Sequence, residues 1–211
     1  MAGLFVSFEG TEGSGKTSVI KEVVAHFQKQ GKQVVVTREP GGSRISEKIR
    51  TIILDKSHTE MDARCEALLF AASRRQHLVE TINPALQLGK LVLCDRFVDS
   101  SLVYQGIARG LGFDEVLEIN KYAIEDTFPN LTIFVNVRPE VGLARVFASN
   151  LREVNRLDLE QLNFHQRIYD GYLELIQLFP HRIKNVVGER SIKEVVQDVI
   201  LLIEQAWATH E

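Results

Sequence analysis

Apolar residues along this chain follow two alternating patterns. Five short, largely β-branched runs recur, "LFVSF" at 4–8, "QVVVT" at 33–37, "LVLC" at 91–94, "LTIFVNV" at 131–137 and "RIKNVV" at 182–187. Most lack polar alternation, which is how strands covered on both faces read. Between them lie stretches of helical period. The clearest is "SIKEVVQDVILLIEQAW", where Ser191 and Glu194 form a capping-box pattern. Apolar residues then recur at Ile192, Val195, Val196, Val199, Ile203 and Trp207. Strand alternating with helix predicts an α/β fold, with a five-stranded parallel sheet carrying helices on both faces and right-handed crossovers. No repeat, low-complexity tract or Pro/Gly-rich linker divides the chain, so a single domain over residues 1–211 is expected.

Composition narrows the setting. The chain has 211 residues, 45% hydrophobic and 25% charged, enough for one sizeable core. Its net charge of -3 gives no global attraction to nucleic acid or to an anionic membrane, so phosphate chemistry must be local. Met1 leads directly into a strand-like run without the shape of a secretory signal, and no apolar run approaches 18 residues. Cys65 and Cys94 lack CxxC neighbours, and the six histidines lack HExxH spacing. A cytoplasmic protein with no membrane or nucleic-acid partner and no dedicated zinc site is expected.

The first run opens into Gly10, Thr11, Glu12, Gly13, Ser14, Gly15, Lys16 and Thr17, which fit GxxxxGK[ST]. A chance match in a chain this long is on the order of one in a hundred, and strand-before, helix-after context sharpens it. Glycines let backbone N–H groups curl around phosphate oxygens, and the helix N-terminus adds positive potential. Lys16 would reach the terminal phosphates and the Thr17 hydroxyl would ligate magnesium. These eight residues are therefore expected to bind a nucleotide triphosphate, which the resemblance described below makes ATP.

The class of nucleotide protein follows partly by exclusion. A regulatory GTPase needs Asn-Lys-x-Asp, but Asn120 and Lys121 are followed by Tyr122 and Ala123. A motor or DNA-dependent ATPase needs basic tracks or larger partner-binding regions. A small phosphotransferase fits better. In a doubly wound sheet ligands gather beyond the carboxyl ends of strands, and those ends are charged here. "TREPGG" places Arg38 and Glu39 after the second run, and "CDRF" places Asp95 and Arg96 after the third. A strand-end Asp suits magnesium, and an Arg can grip phosphate bidentately. Phe70 and Arg74 stand four apart, as do Ser101 and Gln105, each pair on one helix face. They could read a base by stacking and edge hydrogen bonds; from spacing alone, Phe70 as core and Arg74 as a solvated face is the plainer reading.

The set "FEGTEGSGKT", "TREPGG", "LLFAASRRQH", "LCDRFVDSSLVYQG" and "NRLD", in this order and at these separations, resembles bacterial thymidylate kinase over essentially the whole chain. The resemblance implies a P-loop nucleoside monophosphate kinase-like fold. It implies transfer of the ATP γ-phosphoryl to dTMP with Mg2+, giving dTDP and ADP for dTTP synthesis. It puts Phe70 against thymine, Arg74 on its edge, and Ser101 and Gln105 in base recognition. Tyr104 would crowd the sugar 2′ position and Glu12 would approach the 3′-hydroxyl. Arg38, Arg50 and Arg96 would hold the acceptor phosphate region, while Asp95, with Thr17, would assist magnesium. Glu39 joins the dTMP site, and its bond to Pro40 tends to be cis in the family. The resemblance also implies a homodimer, with the apolar-rich helix near 62–87 as the candidate face.

Some family members carry a P-loop arginine; Thr11 to Ser14 contain none here. "SNLREVNRLD" supplies Arg152 and Arg156 where the bacterial family has a mobile lid, so a lid near 149–157 delivering these two arginines to catalysis is expected beside Lys16, Asp95 and Arg96. Two further readings stay open from sequence: a related nucleotide kinase with altered base choice, and a nucleotide-binding protein without catalysis.

Overall fold

In the computed structural model, which describes residues 3–148 and 156–210, the five apolar runs become β1 (Leu4–Glu9), β2 (Val34–Arg38), β3 (Leu91–Asp95), β4 (Leu131–Asn136) and β5 (Ile183–Val187). They form one parallel sheet in the order β2-β3-β1-β4-β5, each end within one residue of its sequence expectation. Alternation along β1 sends Leu4, Val6 and Phe8 to one face and Phe5 to the other.

The first face is closed by α1 (Lys16–Lys29) and α9 (Ile192–His210), which contribute Val19, Val23, Val199 and Ile203. The expected capping box starts α9: the Ser191 N–H donates to Glu194 at 3.1 Å, and the Glu194 N–H donates back to the Ser191 hydroxyl at 3.4 Å. The second face is closed by α3 (Ala63–His77), α6 (Phe113–Ile124) and α8 (Leu162–Leu178), with α2 (Arg44–Leu54) packed on α3. Helix α3 starts at an Asp62 cap that accepts from the Arg64 and Cys65 N–H groups at 2.9 and 3.0 Å. It passes through a π-helical turn at Leu78–Ile82 into α4 (Asn83–Gln87). A short α5 (Val98–Ser101) likewise runs into a π-helical stretch, Leu102–Ala108, and α7 (Pro139–Ala148) follows β4.

The order of strands decides where the site lies. Because β1 sits between β3 and β4, the chain leaving β1 can run in one direction and the chain leaving β3 in another, opening a crevice at their carboxyl ends. Register brings Phe8 of β1 and Arg38 of β2 opposite Asp95 of β3. Among the described residues no helix is long and apolar enough to cross a membrane.

Candidate active site

The P-loop follows β1 and is shaped by close backbone packing. Gly15 takes φ 90° and hands over to α1 at Lys16 without any side-chain cap, leaving the first-turn N–H groups for another partner. Gly13 faces Gly142 of α7 so closely that a Cβ on Gly13 would lie 2.0 Å from the Gly142 carbonyl oxygen. A Cβ on Gly142 would lie 2.1 Å from the Glu12 carbonyl oxygen. No other residue fits either place.

The Lys16 ammonium is held inside the loop, donating to the Gly10 and Thr11 carbonyls and to the Ser14 hydroxyl at 3.1, 3.2 and 3.2 Å. Burial, and then the nearby Arg96 charge, lower its pKa to about 8, against the opposing pull of Asp95, Glu12 and Glu9. At the start of α1 the Thr17 hydroxyl donates to Asp95 at 3.2 Å. This hydroxyl and carboxylate form the hard-oxygen pair that Mg2+ takes when phosphates and water complete its octahedron, so the residues fit that ion. Among the described residues no cluster of three or more His, Cys, Asp or Glu could hold a metal by itself.

Beyond the P-loop the cleft deepens to about 1400 Å³, lined at one end by Glu12 to Thr17 and at the other by Phe70, Arg74, Ser101, Tyr104 and Gln105. Arg38, Glu39, Arg50, Asp95 and Arg96 line it between. Every described candidate thus opens on one cleft except Gly10 and Thr11, which form the floor of the P-loop, and Arg156. Arg156 donates to Glu66 and, at 3.0 Å, to the Ile53 carbonyl, so it is anchored near α2 and α3 and not at the P-loop. Arg152 lies outside the described residues, as does most of the expected lid.

The candidates are locked by partners. Arg74 is 1% exposed, the opposite of a solvated face. Its Nε donates to Glu39 at 2.7 Å, Nη1 to Ser101 at 3.1 Å and to Asn120, and Nη2 to the Phe97 carbonyl at 3.1 Å. Five donors against four acceptors leave one N–H of Nη2 uncommitted on a side chain that lines the cleft. Phe70 packs against the core, as its spacing alone suggests, and also lines the cleft. Gln105 donates its amide to buried Glu66 at 2.9 Å, which fixes which way round the amide sits. The Glu39–Pro40 bond is cis, and Arg50 donates to the Pro40 carbonyl at 2.7 Å. Arg38 bridges to Glu47 at 3.0 Å.

Arg96 occupies the left-handed region at φ 69°, a conformation that a non-glycine residue holds only when its surroundings dictate it. Its guanidinium reaches Glu12 at 3.1 Å, Ser100 at 3.2 Å and the Tyr172 hydroxyl at 3.3 Å. Burial alone would raise the Glu12 pKa, but the Arg96 charge, reinforced by His165, Tyr104 and Lys16, holds it well below the usual carboxylate range. The Tyr104 hydroxyl donates to Glu12 at 2.6 Å, and burial keeps it protonated far above its ordinary range.

Several contributors escaped the sequence reading. Glu9, at the end of β1, accepts from the Phe97 N–H at 2.7 Å, the Ser100 hydroxyl at 2.5 Å and the Tyr172 hydroxyl at 2.8 Å. Burial, then the neighbouring Asp99, push its pKa up to about 7. Asp99 is fully buried and receives both Nη atoms of Arg182 at 2.6 and 2.7 Å. The available signals were a charged residue closing an apolar strand and, in α8, His165 and Tyr172 interrupting a buried stripe with Ile168 and Leu175.

The chain has relatives among known proteins over nearly its whole length. The family model described as thymidylate kinase matches residues 8–199. A thymidylate kinase of Oceanobacillus iheyensis is 56% identical over 96% of this chain and 90% of its own length. One of Bacillus cytotoxicus is 54% identical over 97% of this chain and 98% of its own. The crystal structure of thymidylate kinase from Ehrlichia chaffeensis superposes with a TM-score of 0.76 at 29% identity, covering 97% of this chain and 99% of that one.

Proposed function

We infer that this chain, which belongs to the thymidylate kinase family, moves the γ-phosphoryl group of ATP to dTMP, giving dTDP and ADP. The observation that carries the reading is one cleft with phosphate-binding groups at one end and a buried, oriented set of aromatic, amide and guanidinium groups at the other. An oxygen of the dTMP phosphate attacks the γ-phosphorus, the bond from that phosphorus to the β–γ bridging oxygen breaks, and ADP leaves with the electron pair. The acceptor is already an anionic phosphate, so positioning and charge neutralisation matter more than proton removal.

In this reading the P-loop N–H groups and Lys16 bind the donor phosphates, and Arg38, Arg50 and Arg96 receive the acceptor phosphate. Thr17 and Asp95 would hold Mg2+, which when bound neutralises charge on the donor phosphates. Phe70 stacks on thymine, the uncommitted N–H of Arg74 meets its edge, and Gln105 and Ser101 complete the readout. Tyr104 and Glu12 meet the sugar, and Glu39 acts through Arg74, which it orients. Lacking a P-loop arginine, the chain draws the remaining positive charge from Arg152 and Arg156 in a lid near 149–157, which requires Arg156 to leave Glu66. One domain spans 1–211. A homodimer through the helix near 62–87 is supported by exposed Leu68 and Val79, and cytoplasmic residence by two unpaired cysteines. The test is ADP release by the purified protein with ATP and Mg2+ and a panel of dTMP, dUMP, dCMP, dGMP and UMP. Turnover strongest with dTMP supports the reading, and equal release without any acceptor contradicts it.

A further inference from the structure

Among the described residues, three buried side-chain polar atoms lack a hydrogen-bond partner, and all three belong to one pair of neighbouring residues. They are Oε2 of Glu12 and both ring nitrogens of His165. Nδ1 of His165 lies 3.3 Å from that Oε2, within ion-pair distance but too poorly aligned for a hydrogen bond. The other carboxylate oxygen is fully used, accepting from Tyr104 at 2.6 Å and Arg96 at 3.1 Å.

Buried polar atoms without partners are rare and call for a cause, and site contacts that are loose without substrate often tighten when it binds. His165 has no route to solvent: it is 1% exposed, on the buried face of α8, and its neighbour Phe164 packs edge-on to Tyr104 with ring centroids 6.3 Å apart. Its ring can therefore serve only what lies inside this wall. A carboxylate has about four lone-pair directions, and two of those on Glu12 are taken at Oε1. Oε2 is the oxygen with lone pairs to spare; it is buried here, and a turn of the Glu12 side chain, which borders the cleft, brings it to a donor entering there. dTMP carries a single free sugar hydroxyl, at 3′, and it is a donor.

We propose that His165 is the positioning residue of the sugar-hydroxyl subsite: a small ring rotation lets Nδ1–H donate to Glu12 Oε2, fixing the carboxylate so that Oε2 also accepts the 3′-hydroxyl of the acceptor nucleotide. This deepens the reading of Glu12 given above and rests on it. His165 acts through Glu12 and touches no reacting atom. The requirement is for a donor at the Nδ1 position, and an asparagine amide can occupy it, whereas a glutamine amide reaches toward Nε2.

The experiment compares wild type, Glu12→Gln, His165→Phe, His165→Asn and His165→Gln, each with dTMP and with 3′-deoxythymidine monophosphate, and records Tm. In His165→Phe, KM for dTMP should rise about tenfold, the loss of one charge-assisted hydrogen bond, while KM for ATP stays within about twofold. KM for the 3′-deoxy nucleotide should not move. His165→Asn should restore dTMP binding and His165→Gln should not, and this Asn-against-Gln contrast decides the matter if the phenylalanine variant folds poorly. Equal losses on both nucleotides in all three variants would mean a packing role alone and overturn the proposal. Preference for the 3′-hydroxyl lost in Glu12→Gln but intact in every His165 variant overturns it while sparing Glu12. Preference intact in Glu12→Gln removes the Glu12 assignment itself, and the role of His165 with it.

Discussion

Replacing Gly142 by alanine perturbs the site without altering any group that meets a substrate. The added Cβ would lie 2.1 Å from the Glu12 carbonyl oxygen, and ordinary contact begins at 3.4 Å, so 3.4 − 2.1 = 1.3 Å must be opened. The helix cannot simply withdraw, because the Thr11 hydroxyl donates to the Val137 carbonyl just before α7 at 3.1 Å and ties loop to helix. The strain falls on the peptide that carries Glu12 and neighbours the carbonyls holding Lys16. Overpacking of this kind costs about 1–3 kcal/mol, a drop of about 2–12 °C in Tm for a chain of this size. Displacing reacting groups by about 1 Å costs about 10²-fold in rate. The checks are steady-state kcat/KM for ATP and dTMP together with calorimetric Tm. Activity within about threefold of wild type at unchanged Tm would show that the loop does not depend on this contact.

Arg74→Lys keeps the charge but replaces a planar fork with one nitrogen, which cannot meet Glu39, Ser101, Asn120 and the Phe97 carbonyl together. Leaving buried acceptors without donors costs about 1–3 kcal/mol, so Tm should fall about 2–12 °C by calorimetry, with dTMP binding lost in parallel. Glu9 titrates near pH 7 in the folded state against an ordinary 4.5, so the folded chain keeps a proton that the unfolded chain releases between those values. Its contribution to stability is largest below pH 4.5 and is lost as pH rises through 7; Glu9→Gln should therefore flatten urea-measured stability between pH 5 and 8 by on the order of 2–3 kcal/mol. Chelation by EDTA should stop turnover, and Asp95→Asn should raise the half-saturating Mg2+ concentration about tenfold, read from a Mg2+ titration of rate.

The parts of this molecule that announce themselves in sequence are those governed by neighbours along the chain. Buried parallel strands read as unbroken β-branched runs, the P-loop needs its glycines and lysine at fixed spacing, and Ser191 with Glu194 marks a helix start. Arg74 shows where that stops. Helical spacing favoured a solvated face, yet its acceptors Glu39 and Asn120 come from 35 and 46 residues away, and only the fold brings them together. Gly142 and His165 are silent for the same reason: their roles are defined by Glu12, on an element far away in sequence. Arg156 reads as a lid arginine from its motif, whereas its partner Glu66 lies 90 residues away. The base-reading roles proposed for Phe70, Arg74, Ser101 and Gln105 rest on the resemblance to thymidylate kinases, because periodicity alone left them undecided.

The most direct measurement is 31P NMR of equimolar ATP and dTMP with Mg2+ and the purified enzyme, alongside Lys16→Ala. The predicted result is the α and β phosphorus signals of dTDP growing one for one with those of ADP in the wild type and absent from the variant. ADP accumulating with inorganic phosphate and no dTDP would contradict phosphoryl transfer between the two ends of the cleft.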